Sequence, residues 1–225
     1  YIDPVLNYFS NAGTRHSIRT RWHRQIFENS GGQSNRNDVL HAEYQIQQKL
    51  QLFGETVITG GLVLRSVKSD AELYRLTETS SGLNTAENLA GFIQLDKKLW
   101  NKLAISAGVR YEQFTVNDEV AARPVVRAGA TYQIHKATFL RASYGEGFRF
   151  PTIGERFINT SVGQLVIYPN AELRPEESWN VEGGVKQGFK IGNFMGYVDA
   201  VYFQQTFTDY VEFTFGQWTP FVSFS

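Results

Sequence analysis

The segment Leu103-Ala104-Ile105-Ser106-Ala107-Gly108-Val109-Arg110-Tyr111-Glu112-Gln113-Phe114 alternates with a period of two. Leu103, Ile105, Ala107, Val109 and Tyr111 fall on one side. Ala104, Ser106, Gly108, Arg110 and Glu112 fall on the other. Successive side chains of a strand point to opposite faces, so this spacing predicts a β-strand with one apolar face. The split recurs on both sides of the segment. Leu40, Ala42, Tyr44 and Ile46 oppose His41, Glu43, Gln45 and Gln47. Val126, Ala128, Ala130 and Tyr132 oppose Arg127, Gly129, Thr131 and Gln133. Leu140, Ala142 and Tyr144 oppose Arg141 and Ser143, and Trp179, Val181 and Val185 oppose Ser178, Asn180, Glu182 and Lys186.

The connections alternate as well. Short ones are expected at Asn11-Ala12-Gly13, Phe53-Gly54-Glu55, Trp100-Asn101-Lys102, His135-Lys136 and Ile191-Gly192. Long polar ones are expected over residues 28–37, 69–88, 115–122 and 146–175. About ten strands result, centred on residues 1–10, 14–27, 38–50, 56–68, 89–99, 103–115, 123–134, 137–145, 176–189 and 193–206, with room for another after Phe207.

Mean hydropathy is -0.31, a value typical of a soluble chain, and no run approaches the roughly 20 apolar residues of a membrane helix. A transmembrane barrel escapes that test, because only every second residue meets lipid. The even balance of 22 basic and 22 acidic residues gives no support to a nucleic-acid partner. The absence of cysteine excludes disulfides and thiolate metal sites. The start, Tyr1-Ile2-Asp3-Pro4, does not read as a signal peptide. A soluble sandwich would turn the apolar faces inward, whereas a membrane barrel turns them to lipid. Strand length, loop asymmetry and aromatics near strand ends (Trp100, Tyr111, Tyr132, Tyr144, Trp179, Tyr202) favour an all-β, antiparallel transmembrane β-barrel.

Two further stretches are informative. Leu140-Arg141-Ala142-Ser143-Tyr144-Gly145-Glu146-Gly147-Phe148-Arg149-Phe150-Pro151 reads as a strand released by glycines and stopped by proline. Tyr168-Pro169-Asn170-Ala171-Glu172-Leu173-Arg174-Pro175-Glu176-Glu177-Ser178 is turn-rich and leads into a new strand bearing Glu182-Gly183-Gly184. With Phe92–Leu99 and Ala107–Tyr111, these resemble TonB-dependent outer-membrane receptors. The likeness runs from about Thr14 to Phe213. It is nearer to receptors of the ferric-chelate kind from Bacteroidetes-like bacteria than to their carbohydrate-importing relatives. The motif positions it marks as structural are Gly147, Phe148, Arg149, Pro151, Glu155, Pro169, Asn170, Leu173, Pro175, Glu176 and Glu182.

The resemblance implies a 22-stranded plugged barrel. Residues 1–225 would supply about ten of its strands, as a partial barrel domain. No segment resembles the plug or the motif that recruits TonB, and Phe221-Val222-Ser223-Phe224-Ser225 lacks the terminal aromatic of a last strand. An internal piece of the barrel is therefore expected. The implied function is active, TonB-energised uptake of a scarce nutrient, a ferric siderophore or other iron chelate, across the bacterial outer membrane. Outer-membrane lipid, the chelate and the TonB complex, reached through the plug, are the implied partners. No resident cofactor is implied. A passive porin-like channel is the alternative, and a plug domain upstream would decide between the two.

No catalytic pattern competes. The histidines His16, His23, His41 and His135 lack metalloprotease spacing, and Gly145-Glu146-Gly147 has Phe150 where a dinucleotide motif needs glycine. His41 and Glu43 read as polar lining. The functional candidates are instead the charges expected on the lumen face, Arg19, Arg21, Arg65, Arg110, Arg127 and Arg141, with Glu43, Glu112, Glu182 and Asp199. They form either a self-neutralising lattice that docks the plug or an electropositive funnel for an anionic chelate. Arg149, Arg156, Phe157 and Tyr168 are the expected ligand contacts in the loops.

Overall fold

A computed structural model describes residues 1–31, 33–77, 79–162 and 165–212, with the side chains of residues 162–165 set aside. The expected strand after Phe207 and the terminal residues 221–225 lie largely or wholly outside the described residues. Ten strands form one antiparallel sheet. They are β1 (Val5–Phe9), β2 (Thr14–Phe27), β3 (Asn35–Gln51), β4 (Glu55–Ala71), β5 (Leu83–Leu99), β6 (Leu103–Val116), β7 (Glu119–His135), β8 (Thr138–Arg149), β11 (Glu176–Ile191) and β12 (Phe194–Thr208). Each pairs with its neighbour in sequence, in the order β1 to β8, then β11 and β12. The small hairpin of β9 (Thr160–Val162) and β10 (Leu165–Ile167) stands apart in the connection between β8 and β11.

The five short turns all lie at one end of the sheet. Their chemistry explains their tightness. Trp100 and Asn101 both take left-handed backbone, with φ of 50° and 54°, and Lys102 N–H donates to the Leu99 carbonyl at 3.0 Å. Two consecutive positive φ values twist this Leu99–Lys102 turn in the same sense as its strands. Gly54, at φ 114°, is required for a second reason: a Cβ there would lie 2.3 Å from the Lys98 carbonyl oxygen of the next hairpin.

Several expected boundaries move at the other end. The long connection expected over residues 115–122 is a tight turn at Asn117-Asp118 between β6 and β7. Asn117 adopts φ 51°, and its side chain accepts from the Thr85 N–H at 2.9 Å. β5 begins at Leu83, β3 at Asn35, and β8 continues to Arg149, so the connections there span 28–34, 72–82 and 150–175. Polar residues on both faces hide strand character above the apolar belt, which is why alternation stopped short. β1, by contrast, is shorter than expected, with only an isolated Ile2–Trp22 bridge before it.

Register fixes the faces. Arg110, opposite Phe92 and Val125, shares a face with Glu112, Asn88 and Arg65. The opposite face carries Leu62, Leu64, Leu89, Ile93, Ile105, Val109 and Val126, all exposed. Among the described residues only seven apolar ones besides Pro151 and glycine are buried, among them Val63, Val116, Phe150 and Ile153. A soluble domain of this size does not leave its continuous apolar face uncovered. The boundary of that face is sharp. Within two residues, Trp22 gives way to Arg24, Tyr111 to Gln113, Tyr144 to Glu146, Trp179 to Glu177 and Tyr202 to Gln204. This aromatic row beneath a polar row is the chemistry of a bilayer interface. The sheet is an antiparallel ten-stranded section of a transmembrane β-barrel wall.

Candidate functional site

The connection from β8 to β11 folds onto the lumen face at the long-loop end. Pro151, fully buried, ends the β8 ladder. Thr152 then caps α1 (Ile153–Phe157). Its hydroxyl accepts from the Glu155 N–H at 3.2 Å, while the Glu155 carboxylate accepts from the Thr152 N–H at 2.7 Å and its hydroxyl at 2.9 Å. This reciprocal capping box lets a five-residue helix form. Phe150 and Ile153 pack with Val116 in a small core, against Val67, Ala86, Phe114 and Ala121 of the lumen wall and Tyr74 of the 72–82 connection.

Arg149 and Arg156 hold this fold. Arg149 is not a loop residue, as the sequence suggested, but the last residue of β8. It pairs with Glu155 of α1 and Glu176 of β11. Glu176 also accepts from the Val211 N–H at 2.7 Å. Arg156 has 0% side-chain exposure. It lies 5.2 and 5.4 Å from the ring centres of Phe150 and Phe157, and donates to Glu119 at 2.7 Å and to the Ala171 carbonyl. Arg156, one of the expected ligand contacts, is thus buried in the loop, where its charge ties the two limbs to the β6–β7 turn. Phe157 is half-buried beside it, whereas Tyr168 is 64% exposed.

Burial on its own would raise the Glu155 carboxyl, but donation from Arg149 and from both Thr152 groups outweighs it and holds Glu155 below its ordinary value. The connections also bond to one another. Asn159 N–H donates to the Leu73 carbonyl at 2.7 Å, and its side chain donates to the Arg75 carbonyl at 2.8 Å. Glu72 accepts from the Ser34 N–H at 2.8 Å, linking the 28–34 connection to the same layer. Asn159 and Glu72 escaped the sequence reading because each acts across more than thirty residues. Thr152 and Glu155 were detectable, since Thr-x-x-Glu after a proline is a helix-start signal.

Above the Arg127–Gly145 pair the β7 and β8 ladder ends. Phe148 reaches across to Phe114, with ring centres 5.8 Å apart, and Arg123 pairs with Glu177. Of the other motif positions, Asn170 accepts from the Glu172 N–H at 3.1 Å in a local turn, and Gly147 faces Ser178 across the ladder. Pro169, Leu173 and Pro175 line the returning limb and are half-buried.

Below the loop layer, the lumen face divides its charges. Arg110 pairs with Glu112, Arg21 with Asp3, and Arg141 with Glu182 at 3.3 Å and Asp199 at 3.1 Å. His41 lies 3.7 Å from Glu43. Arg19, Arg65 and Arg127 are exposed on the same face and make no ion pair among the described residues. An open concavity of about 450 Å³ lies lower on the wall, bordered by Asp96, Ser106, Gly129, Thr131, Arg141 and Glu182.

The family model described as TonB dependent receptor-like, beta-barrel matches residues 2–224. No curated protein sequence matches the chain significantly. Among solved structures, the siderophore receptor PirA from Pseudomonas aeruginosa is similar with a TM-score of 0.69 at 17% identity, over 89% of this chain and 37% of that one. The ferric-catecholate import receptor Fiu from E. coli K12 gives 0.63 at 10% identity, over 89% and 39%. The alcaligin outer-membrane receptor FauA from Bordetella pertussis gives 0.59 at 16%, over 89% and 35%. The chain therefore spans little more than a third of the length of these receptors. With a matching family model over nearly all its residues, a continuous exposed apolar belt and a long loop folded onto the lumen face, the chain belongs to the TonB-dependent receptor-like β-barrel family.

Proposed function

We propose that this chain forms part of the wall and outer mouth of a bacterial outer-membrane receptor that takes up a ferric chelate with energy relayed by TonB. The supporting observation is the inward fold of the 150–175 connection, whose Phe150 and Ile153 pack on the lumen side of β4 to β7. A mouth built in this way narrows entry and suits selective capture better than open diffusion. The relatives named as siderophore and ferric-catecholate receptors point to the same ligand class. Ferric catecholates are anionic, and Arg19, Arg65 and Arg127 present cations to the lumen. A charge-lined cleft concentrates a ligand of opposite sign.

On this reading Tyr168 is the loop residue free to meet a ligand, while Arg149, Arg156 and Phe157 keep the mouth in shape. The test is uptake of radioiron as ferric catecholate by cells carrying the full-length receptor, with and without TonB. TonB-dependent uptake that drops several-fold in R65Q/R127Q supports the proposal. Steady ion conductance of the purified receptor in planar bilayers, with uptake indifferent to TonB, would replace it with the porin-like channel.

A further inference from the structure

Lysine and arginine are segregated along this wall. Six of the eight lysines, Lys49, Lys97, Lys98, Lys102, Lys136 and Lys190, sit at or beside the short turns. Among the described residues none of these six makes an ion pair, whereas arginines supply the cation in ten of the eleven pairs. Five of the six are exposed, Lys97 being half-buried, and at the same end the facing acidic residues are Glu55 and Asp96. The short-turn rim is therefore a band of unneutralised ammonium groups.

The densest part is Lys97-Lys98-Leu99-Trp100-Asn101-Lys102. Its turn is braced against the neighbouring one, because Lys97 Nζ donates to the Leu52 carbonyl at 2.9 Å and Gly54 sits close to the Lys98 carbonyl. Each turn carries an aromatic at its tip, Phe53 at 90% exposure and Trp100 at 78%. Both are in left-handed backbone, at φ 51° and 50°, where a bulky side chain is uncommon. Lys97 stands opposite Ile105 in register, on the apolar face, whereas Lys98, opposite Ala104, turns to the lumen. Exposed rings beside lysines, at the edge of an apolar belt, match the layered chemistry of a headgroup region.

We infer that the Phe53 and Trp100 turns, with Lys97 and Lys102, bind anionic phospholipid headgroups in the leaflet that faces the periplasm. The inference rests on the membrane topology of the proposed function. The rings enter the glycerol region and the ammonium groups meet phosphates; a net negative headgroup is favoured because no carboxylate of the rim pairs with these lysines among the described residues. Each such contact strengthens retention about fivefold at low salt.

The test uses the full-length receptor in detergent, offered equal phosphatidylglycerol and phosphatidylcholine, with retained lipid counted by native mass spectrometry. The expected result is at least about fivefold preference for phosphatidylglycerol. K97Q/K102Q should bring the two lipids to parity, the arginine double should keep the preference, and K68Q at the opposite end and K98Q on the lumen face should leave it unchanged. Heat-modifiable gel migration shows that each variant is folded. Parity in the unmodified receptor, a preference that survives the glutamine double, or binding of polyglutamate in place of lipid would overturn the inference, the last assigning the rim to an acidic protein. Detergent removes sidedness from this measurement. Failure of the topology is read separately, by an impermeant label reaching Asn101 on intact cells.

Discussion

Arg149 grips Glu155 with a single nitrogen: Nη1 lies 3.0 and 2.8 Å from the two carboxylate oxygens, leaving Nε for Glu176. One guanidinium thus joins the end of β8, the start of α1 and the start of β11. Removing it in R149A leaves two carboxylates near each other without their shared cation. Charged hydrogen bonds contribute about 1.5–3 kcal/mol each, reduced here to about 1–2 kcal/mol overall because Arg149 is 43% exposed and solvent screens it. Hydrogen exchange should accelerate across residues 152–157 while the ladders of β4 to β6 keep their protection. Equal acceleration in both regions would show that Arg149 supports the wall instead.

The same latch has a pH dependence whose sign follows from Glu155. Its carboxyl is held below the ordinary 4.5, so the folded loop favours the ionised form. The stabilisation is complete above the unfolded value and is lost as pH falls through the lower folded one. Protection of α1, corrected for intrinsic exchange, should be level from pH 7 to about 5 and fall below about 4. E155Q should start lower and remain flat. A loss of protection that begins near pH 6.5 would point to a histidine and away from Glu155.

The lipid-facing belt was legible because a membrane strand must satisfy a two-residue rule along its whole depth. Leu103 to Tyr111 obeys it without exception, and the face assignments of Val109, Ala130 and Trp179 agree with the register. The rule lapses above Tyr111, Tyr144 and Trp179, where both faces meet water. There Gln113 to Val116 and Glu146 to Arg149 are still paired strands without an apolar signature. The mouth was less legible for another reason. Its shape depends on contacts distant in sequence, such as Arg156 with Glu119 and Asn159 with Leu73, and an arginine destined for a buried pair reads like one destined for a ligand.

The sharp belt edge on β6 makes a depth-dependent prediction. Val109 and Gln113 point to the same side, four residues apart, on either side of the Tyr111 boundary. V109R places a charge within the apolar belt and should cost about 2–4 kcal/mol, whereas Q113R, beyond the aromatic row, should cost about 0–1 kcal/mol. Denaturant titration of the full-length receptor in lipid vesicles measures both. Similar costs for the two variants would mean that the bilayer does not end at Tyr111.

Sidedness is the remaining consequence of placing all five short turns at one end. Ser81 lies in the 72–82 connection and Thr160 begins β9, both at the long-connection end. Asn101 and His135 belong to the short-turn end, and both are exposed. Exposure alone would therefore let a reagent reach all four; only a membrane between the two ends can separate them. Single cysteines at these positions, in a receptor that has no others within this chain, should react with an impermeant maleimide on intact cells at Ser81 and Thr160. Those at Asn101 and His135 should react only after the cells are opened. Thr160 is half-buried beside Asn159, which is bonded to the neighbouring connection, so its labelling should be slower than that of Ser81. Labelling of Asn101 on intact cells would invert the wall, placing the lysine rim and its two exposed aromatics on the outer surface and the Arg149 latch on the periplasmic side.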